Sequence, residues 1–162
     1  ETTRNTSNHL MRLLTEHPDQ KALLLSDLDK YLPNAIEETL RHSPPVMQFR
    51  RTMAQDLELR GKKLREGDKV YMSYVSANRD EAVFGDNADV VDLERPNADR
   101  HLAFGHGIHY CMGARIAELQ LRILWEEILP RFERIEVQAE PERTLSAFVK
   151  GYTHLPVQVR RK

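Results

Sequence analysis

The densest chemistry in this 162-residue chain lies in one short run, Phe104-Gly105-His106-Gly107-Ile108-His109-Tyr110-Cys111-Met112-Gly113. It holds the single cysteine, Cys111, at the start of a strongly periodic helical segment. Free backbone N–H groups and the helix dipole at such a start favour negative charge, and hence the thiolate. Gly105 and Gly107 point to unusual backbone torsions or to close approach of a flat object. Buried free cysteines are commonly inert, so Cys111 draws its meaning from this setting. His101, His106, His109 and Cys111 do not form the paired ligand motifs of structural zinc, and a zinc site is set aside. Three further clusters are polar. Glu38 and Arg41 share a helix face and by spacing alone make an ion pair, worth about a few tenths of a kcal/mol if exposed. Glu1-Thr2-Thr3 read as a helix cap, and Arg51 as an ordinary surface cation.

Regular elements must position these groups. Leu10, Leu13 and Leu14 repeat at helical spacing and predict a helix over residues 1–17, broken at Pro18; a short helix follows through Leu25. Pro33, read as a first-turn proline, opens a third helix that carries Glu38 and Arg41 and ends at Pro44-Pro45. Residues 46–59 are extended in character, turns fall at Arg60-Gly61-Lys62 and Glu66-Gly67-Asp68, and Val70-Tyr71-Met72 reads as a strand. Residues 79–103 form a long loop with little periodicity. Residues 113–129 are apolar around most of the helical circumference, which predicts a largely buried helix stopped by Pro130. Its polar stripe, Arg115, Glu118, Arg122 and Glu126, brings opposite charges together. Strands are expected at 133–138, 144–149 and 155–160, with a turn at Lys150-Gly151-Tyr152. The fold class is mainly α with small β-sheets.

Composition narrows the rest. Hydrophobic residues make up 40% and the net charge is −1, so the low-hydrophobicity, high-charge signature of disorder is absent. A nucleic-acid binder would carry an excess of Lys and Arg, and no nucleic-acid partner is expected. No apolar run reaches the roughly 18 residues of a membrane span. One cysteine leaves no internal disulfide framework and fits a reducing compartment. The chain opens on Glu1 and not on Met, so it reads as a processed form or a fragment.

The run from Phe104 resembles, at every defined position, the haem-ligand loop of cytochrome P-450 monooxygenases, Phe-x-x-Gly-x-His-x-Cys-x-Gly. The resemblance implies that Cys111 gives a thiolate to haem iron, where it favours O–O cleavage. It makes Phe104 the aromatic packed beside the thiolate and His109 a contact of a haem propionate, with Gly105, Gly107 and Gly113 as the close-approach glycines. Glu38 and Arg41 match the family's Glu-x-x-Arg element, whose buried pair meets a third, loop-borne arginine; Arg95 is the better candidate and Arg100 the alternative. Glu1 and Thr2 match the acid–alcohol pair of the central helix and are assigned to proton relay. Arg51 matches a strand arginine that binds a haem propionate, and Arg79, in Ala77-Asn78-Arg79-Asp80, is structural.

The whole chain resembles the C-terminal part, residues 1–162, of one soluble bacterial cytochrome P-450 domain. Thr2-Thr3-Arg4-Asn5, Met47-Gln48-Phe49-Arg50-Arg51-Thr52 and Phe148-Val149-Lys150-Gly151-Tyr152 are similar to the alkane and fatty-acid terminal hydroxylase branch. That branch implies hydroxylation of the terminal methyl of a medium-chain alkane or fatty acid, with terpenes or sterol side chains as the alternative substrates. Val46, Met47, Phe148 and Val149 would face the substrate. Cofactor and partners follow: haem b, O2, and NAD(P)H used indirectly through a ferredoxin reductase and a ferredoxin, which His106 and Arg115 could meet. A cytoplasmic location is implied. A fragment without the remainder of the domain is expected to bind haem poorly and to be inactive alone. The chain departs from the pattern at Glu1, where Asp is expected, and at Tyr110, where Arg is frequent.

Overall fold

The computed structural model describes residues 1–162. Three helices open the chain: α1 (Thr2–Glu16), α2 (Pro18–Ser26) and α3 (Leu28–His42). Two short antiparallel ladders follow. Strand β1 (Gln48–Thr52) pairs with β4 (Lys69–Ser73), with Arg51 opposite Val70, and β2 (Leu57–Leu59) pairs with β3 (Lys62–Leu64). Two single-turn helices, α4 (Tyr74–Ala77) and α5 (Glu81–Phe84), lead into the loop that carries Arg95 and Cys111. The long helix α6 (Ala114–Arg131) then runs into β5 (Phe132–Val137), β6 (Glu142–Arg143), β7 (Tyr152–His154) and β8 (Val157–Arg161). Strand β5 pairs with β8, and β6 with β7, both antiparallel. The architecture is mainly α with small sheets, as the sequence implied. No helix is long and apolar enough to cross a membrane.

The core is a cluster of 13 buried residues in which α1, α2, α3 and α6 meet. Leu10, Leu13 and Leu14 of α1 present one helical stripe to Leu32, Ala35, Ile36 and Leu40 of α3 and to Leu121, Trp125 and Leu129 of α6. Val91 and Leu93 of the long loop complete the cluster, so burial of the loop anchors it on α3.

Several expectations are corrected. Helix α3 begins at Leu28, because the Asp27 side chain caps it by accepting the Lys30 N–H at 3.1 Å. Pro33 therefore lies inside the helix and not in its first turn. Pro130 likewise falls inside α6, which ends one residue later. Helix α6 is not largely buried: Ile116, Leu119 and Ile123 are at least half exposed. Its apolar residues encircle the axis, but α1 and α3 cover only one side. Residues 144–149 form no strand; the pairing falls on Glu142–Arg143, and the expected turn at 150–152 already includes the first residue of β7. The loop over 79–103 contains α5 and a 3-10 turn at Ala98–Arg100.

Candidate active site

A cavity of about 750 Å³ opens where α1, α6, β1 and the cysteine loop converge. Cys111 sits on its wall with an exposed thiol. The loop reaches that position by backbone geometry. Gly105 and Gly107 have φ of 78° and 67°, in the left-handed region that L side chains rarely adopt. The Cys111 N–H donates to the Phe104 carbonyl at 2.8 Å, closing the loop just before α6 starts at Ala114. A Cβ on Gly105 would lie 3.4 Å from the His109 carbonyl and 3.6 Å from the Tyr74 hydroxyl, so the turn is built without side-chain space. Phe104 packs edge-on against Tyr110, with ring centroids 6.1 Å apart, and also lines the cavity.

The other walls supply two kinds of group. Thr2, Thr3 and Thr6 of α1 line the cavity, the Thr6 hydroxyl donating back to the Thr2 carbonyl at 3.0 Å, while Leu40, Val46, Phe49 and Ile116 make it apolar. Arg51 and His109 also line it. Phe49 and Arg51 are two apart on β1 and so share a strand face, with the guanidinium 5.6 Å from the Phe49 ring centre. A soft sulfur ligand, apolar walls and two potential cations fit a flat metal macrocycle that carries carboxylates. Cys111 would hold the metal, and Arg51 and His109 the carboxylates.

Not every expected residue reaches the cavity. Thr2 lines it, but the Glu1 carboxylate points away and pairs with Arg4 at 2.6 Å, largely exposed. Val46 lines it, whereas Met47, Phe148 and Val149 do not. Those three form a layer behind the wall: the Met47 N–H donates to the Phe148 carbonyl at 2.9 Å, Val46 bridges Val149, and Phe148 packs on Phe49 with ring centroids 5.3 Å apart. Phe49 lines the cavity, as expected of the apolar segment Pro44–Phe49 that the resemblance sets against the substrate, whereas Tyr74, Gln120 and Ile116 line it without a sequence expectation. The strand period puts Phe49 on the face of Arg51, but nothing in the helical period of α6 tells the cavity-lining Ile116 from a core residue.

Beneath the site lies a buried ionic network. Glu38 and Arg41 are fully buried, and the guanidinium meets the carboxylate in a fork with contacts of 2.6 and 2.8 Å. Arg95 adds a contact at 3.3 Å to the same carboxylate, and the Asp92 N–H donates to it at 3.0 Å. Arg100 is exposed and takes no part. The remaining guanidinium donors reach carbonyls of the long loop, including those of Phe84, Ala88 and Val90. Arg79 ties the same region together, donating to the His42 carbonyl at 2.8 Å and pairing with Asp89 at 2.9 Å. Asn78, fully buried, accepts the Leu102 N–H at 2.7 Å and so fixes the start of the cysteine loop. His101 packs beside Phe104 and contacts Glu37 at 3.0 Å; no group of three or more His, Cys, Asp or Glu is arranged to hold a metal ion.

Comparison with known proteins agrees with this geometry. The family model described as Cytochrome P450 matches residues 1–155. A methyl-branched lipid omega-hydroxylase of Mycobacterium tuberculosis is 43% identical over 97% of this chain, which covers 36% of that protein. Linalool 8-monooxygenase of Pseudomonas putida is 41% identical over 97% of the chain, covering 38% of its own length. Among solved structures, Cytochrome P450-153 from Novosphingobium aromaticivorans superposes with a TM-score of 0.92 at 48% identity, over 98% of this chain and 40% of that one. The chain thus spans well under half the length of these relatives. A thiol-walled cavity, a buried Glu–Arg–Arg network and a family match over nearly every residue lead to one conclusion: the chain belongs to the cytochrome P450 family.

Proposed function

We propose that this chain is the C-terminal part of a haem-thiolate monooxygenase that hydroxylates the terminal methyl of a medium-chain alkane or fatty acid. The observation that carries the proposal is the exposed Cys111 thiol on the wall of an apolar cavity faced by Thr2 and Arg51. Haem b, when bound, supplies the activation of O2 and the insertion of one oxygen atom into a C–H bond. The overall balance is substrate, O2, two electrons and two protons giving alcohol and water.

The chain's own residues hold and orient. Cys111 presents its sulfur just before α6 begins at Ala114, where the helix N-terminus would temper the charge of a metal-bound thiolate. Arg51 and His109, both on the cavity wall, would hold the carboxylates of the cofactor, Arg51 by charge and His109 by a ring N–H. Thr2 places a hydroxyl on the α1 wall, within the cavity, and can pass a proton between ordered waters. Glu1 is assigned to the same relay by its place beside Thr2; its carboxylate pairs with Arg4 at 2.6 Å and would have to turn from that partner towards the cavity to act. Leu40, Val46 and Phe49 exclude water and receive an apolar chain. Electrons come from NAD(P)H through a reductase and a ferredoxin; Arg115 offers that acidic carrier an exposed cation and His106 an exposed ring N–H.

The linalool and omega-hydroxylase relatives favour different substrates, and product analysis separates them. The full-length protein with a ferredoxin and reductase is given octane, a fatty acid and a monoterpene. Terminal alcohols from octane or the fatty acid are expected; turnover of the monoterpene alone would overturn the substrate assignment. Residues 1–162 alone should bind haem poorly and show no turnover.

A further inference from the structure

On α1, Asn5, His9 and Arg12 are spaced by four and three residues and so share one helix face. All three touch the C-terminal segment 150–152. His9 is 1% exposed, with Nε2 3.1 Å from the Lys150 carbonyl and Nδ1 3.0 Å from the Tyr152 hydroxyl. A carbonyl only accepts, so these partners place the ring proton on Nε2 and leave Nδ1 as an acceptor. Arg12 Nη1 donates to the Tyr152 oxygen at 3.2 Å, which leaves the phenolic O–H to donate to Nδ1. The result is a directed chain from Arg12 through Tyr152 and His9 to the Lys150 carbonyl. The Asn5 side chain fills the gap between these contacts: a Cβ on Gly151 would lie 2.7 Å from its Nδ2.

The same segment is zipped to the cavity wall on its other side. The Lys150 N–H donates to the Pro45 carbonyl at 2.8 Å, Val149 bridges Val46, and Phe148 packs on Phe49. Pro45, Val46 and Phe49 line the cavity, although His9 itself does not. Displacing residues 150–152 by a fraction of an ångström would therefore move the apolar wall that a substrate touches. His9, Gly151, Tyr152 and Pro45 are buried, and this packed part of the path passes such a shift on through the Lys150–Pro45 hydrogen bond to the half-buried wall.

We infer that His9 is a positioning residue for substrate specificity, acting through Lys150 and Tyr152 on the Val46–Phe49 wall. This rests on the proposed function, in that it deepens the account of the same cavity. The helix that presents Thr2 to the cavity thus also sets the shape of the wall.

The experiment uses the full-length protein with its cofactor. His9→Phe, His9→Gln and Tyr152→Phe are compared with the parent by kcat/KM on hexane, octane and decane, and by the Soret band of the ferrous CO complex. His9→Phe should keep a thiolate-type band and shift the octane-to-decane ratio by about tenfold, the discrimination that one methylene carries in an apolar pocket. Gln can accept from Tyr152 and donate to the Lys150 carbonyl, so His9→Gln should return the ratio towards that of the parent. Unchanged ratios in His9→Phe, or a change that Gln does not rescue, would overturn the inference. If His9→Phe does not fold, Tyr152→Phe decides, because it deletes one oxygen and keeps the ring; a ratio equal to the parent's would then overturn it. If the parent turns over linalool and no alkane, the substrate assignment fails separately, and the same variants are compared on the positions at which linalool is hydroxylated.

Discussion

Replacing Glu38 by Gln keeps the side chain's shape and removes its charge. The structure gives the consequence. Glu38 and Arg41 are fully buried and Arg95 is 2% exposed, and one carboxylate serves both guanidiniums. The variant leaves two buried cations with no counter-charge and sets an amide N–H₂ among guanidinium donors. Breaking a buried pair from one side costs about 3–5 kcal/mol, and two cations share this carboxylate, so the upper part of that range is expected. Total stability is only about 5–15 kcal/mol, so a third or more of it would go. Thermal unfolding of the full-length protein, followed by far-ultraviolet circular dichroism, should move down by about 6 °C or more. Arg122→Ala is the control: the Arg122–Glu126 pair has the same charges but side chains 54% and 34% exposed. It should cost under about 1 kcal/mol. A Glu38→Gln protein as stable as the Arg122→Ala control would refute the reasoning that this network holds the long loop on α3.

Acid should weaken the α1 contact with residues 150–152. Burial chiefly, with Lys150, Arg12 and Arg143 nearby, lowers the His9 pKa to about 4, while the Lys150 carbonyl opposes that shift. His9 stays neutral when folded but takes up a proton in the unfolded chain below about pH 6.5, so stability falls as pH drops from 6.5 towards 4. Between pH 7 and pH 5 the parent should lose about 2 kcal/mol more than His9→Gln in urea unfolding; equal losses would contradict this. Gly151→Ala should cost about 1–3 kcal/mol, because the buried Asn5 side chain occupies the space of the new methyl; a stability equal to the parent's in the same assay would show that Asn5 can give way.

The cysteine loop was legible because its signals are local: two glycines, a lone thiol and a helix start within ten residues. The pairing of Glu38 with Arg41 was legible for the same reason, since three residues on a helix fix a shared face. The third arginine was not fixed by spacing; burial distinguishes Arg95 from the exposed Arg100. Periodicity showed that α6 is apolar but could not show what covers it, so Ile116 and Ile123 were read as core. The start of α3 was visible in Asp27 followed by Leu28, yet Pro33 drew the boundary towards itself. Strand β3, Lys62-Lys63-Leu64, carries no apolar alternation and exists because a tight turn folds it onto β2. The contact of His9 with Tyr152 spans 143 residues and leaves no local trace in either segment.

The account depends most directly on Cys111 as the sulfur ligand of haem iron. The measurement is the absorption spectrum of the ferrous CO complex of the full-length protein beside its Cys111→Ala variant, with haem content determined for both. The account predicts a thiolate-type Soret band in the parent and its loss in the variant. A parent that binds haem without that band, or a variant that keeps it, would contradict the account.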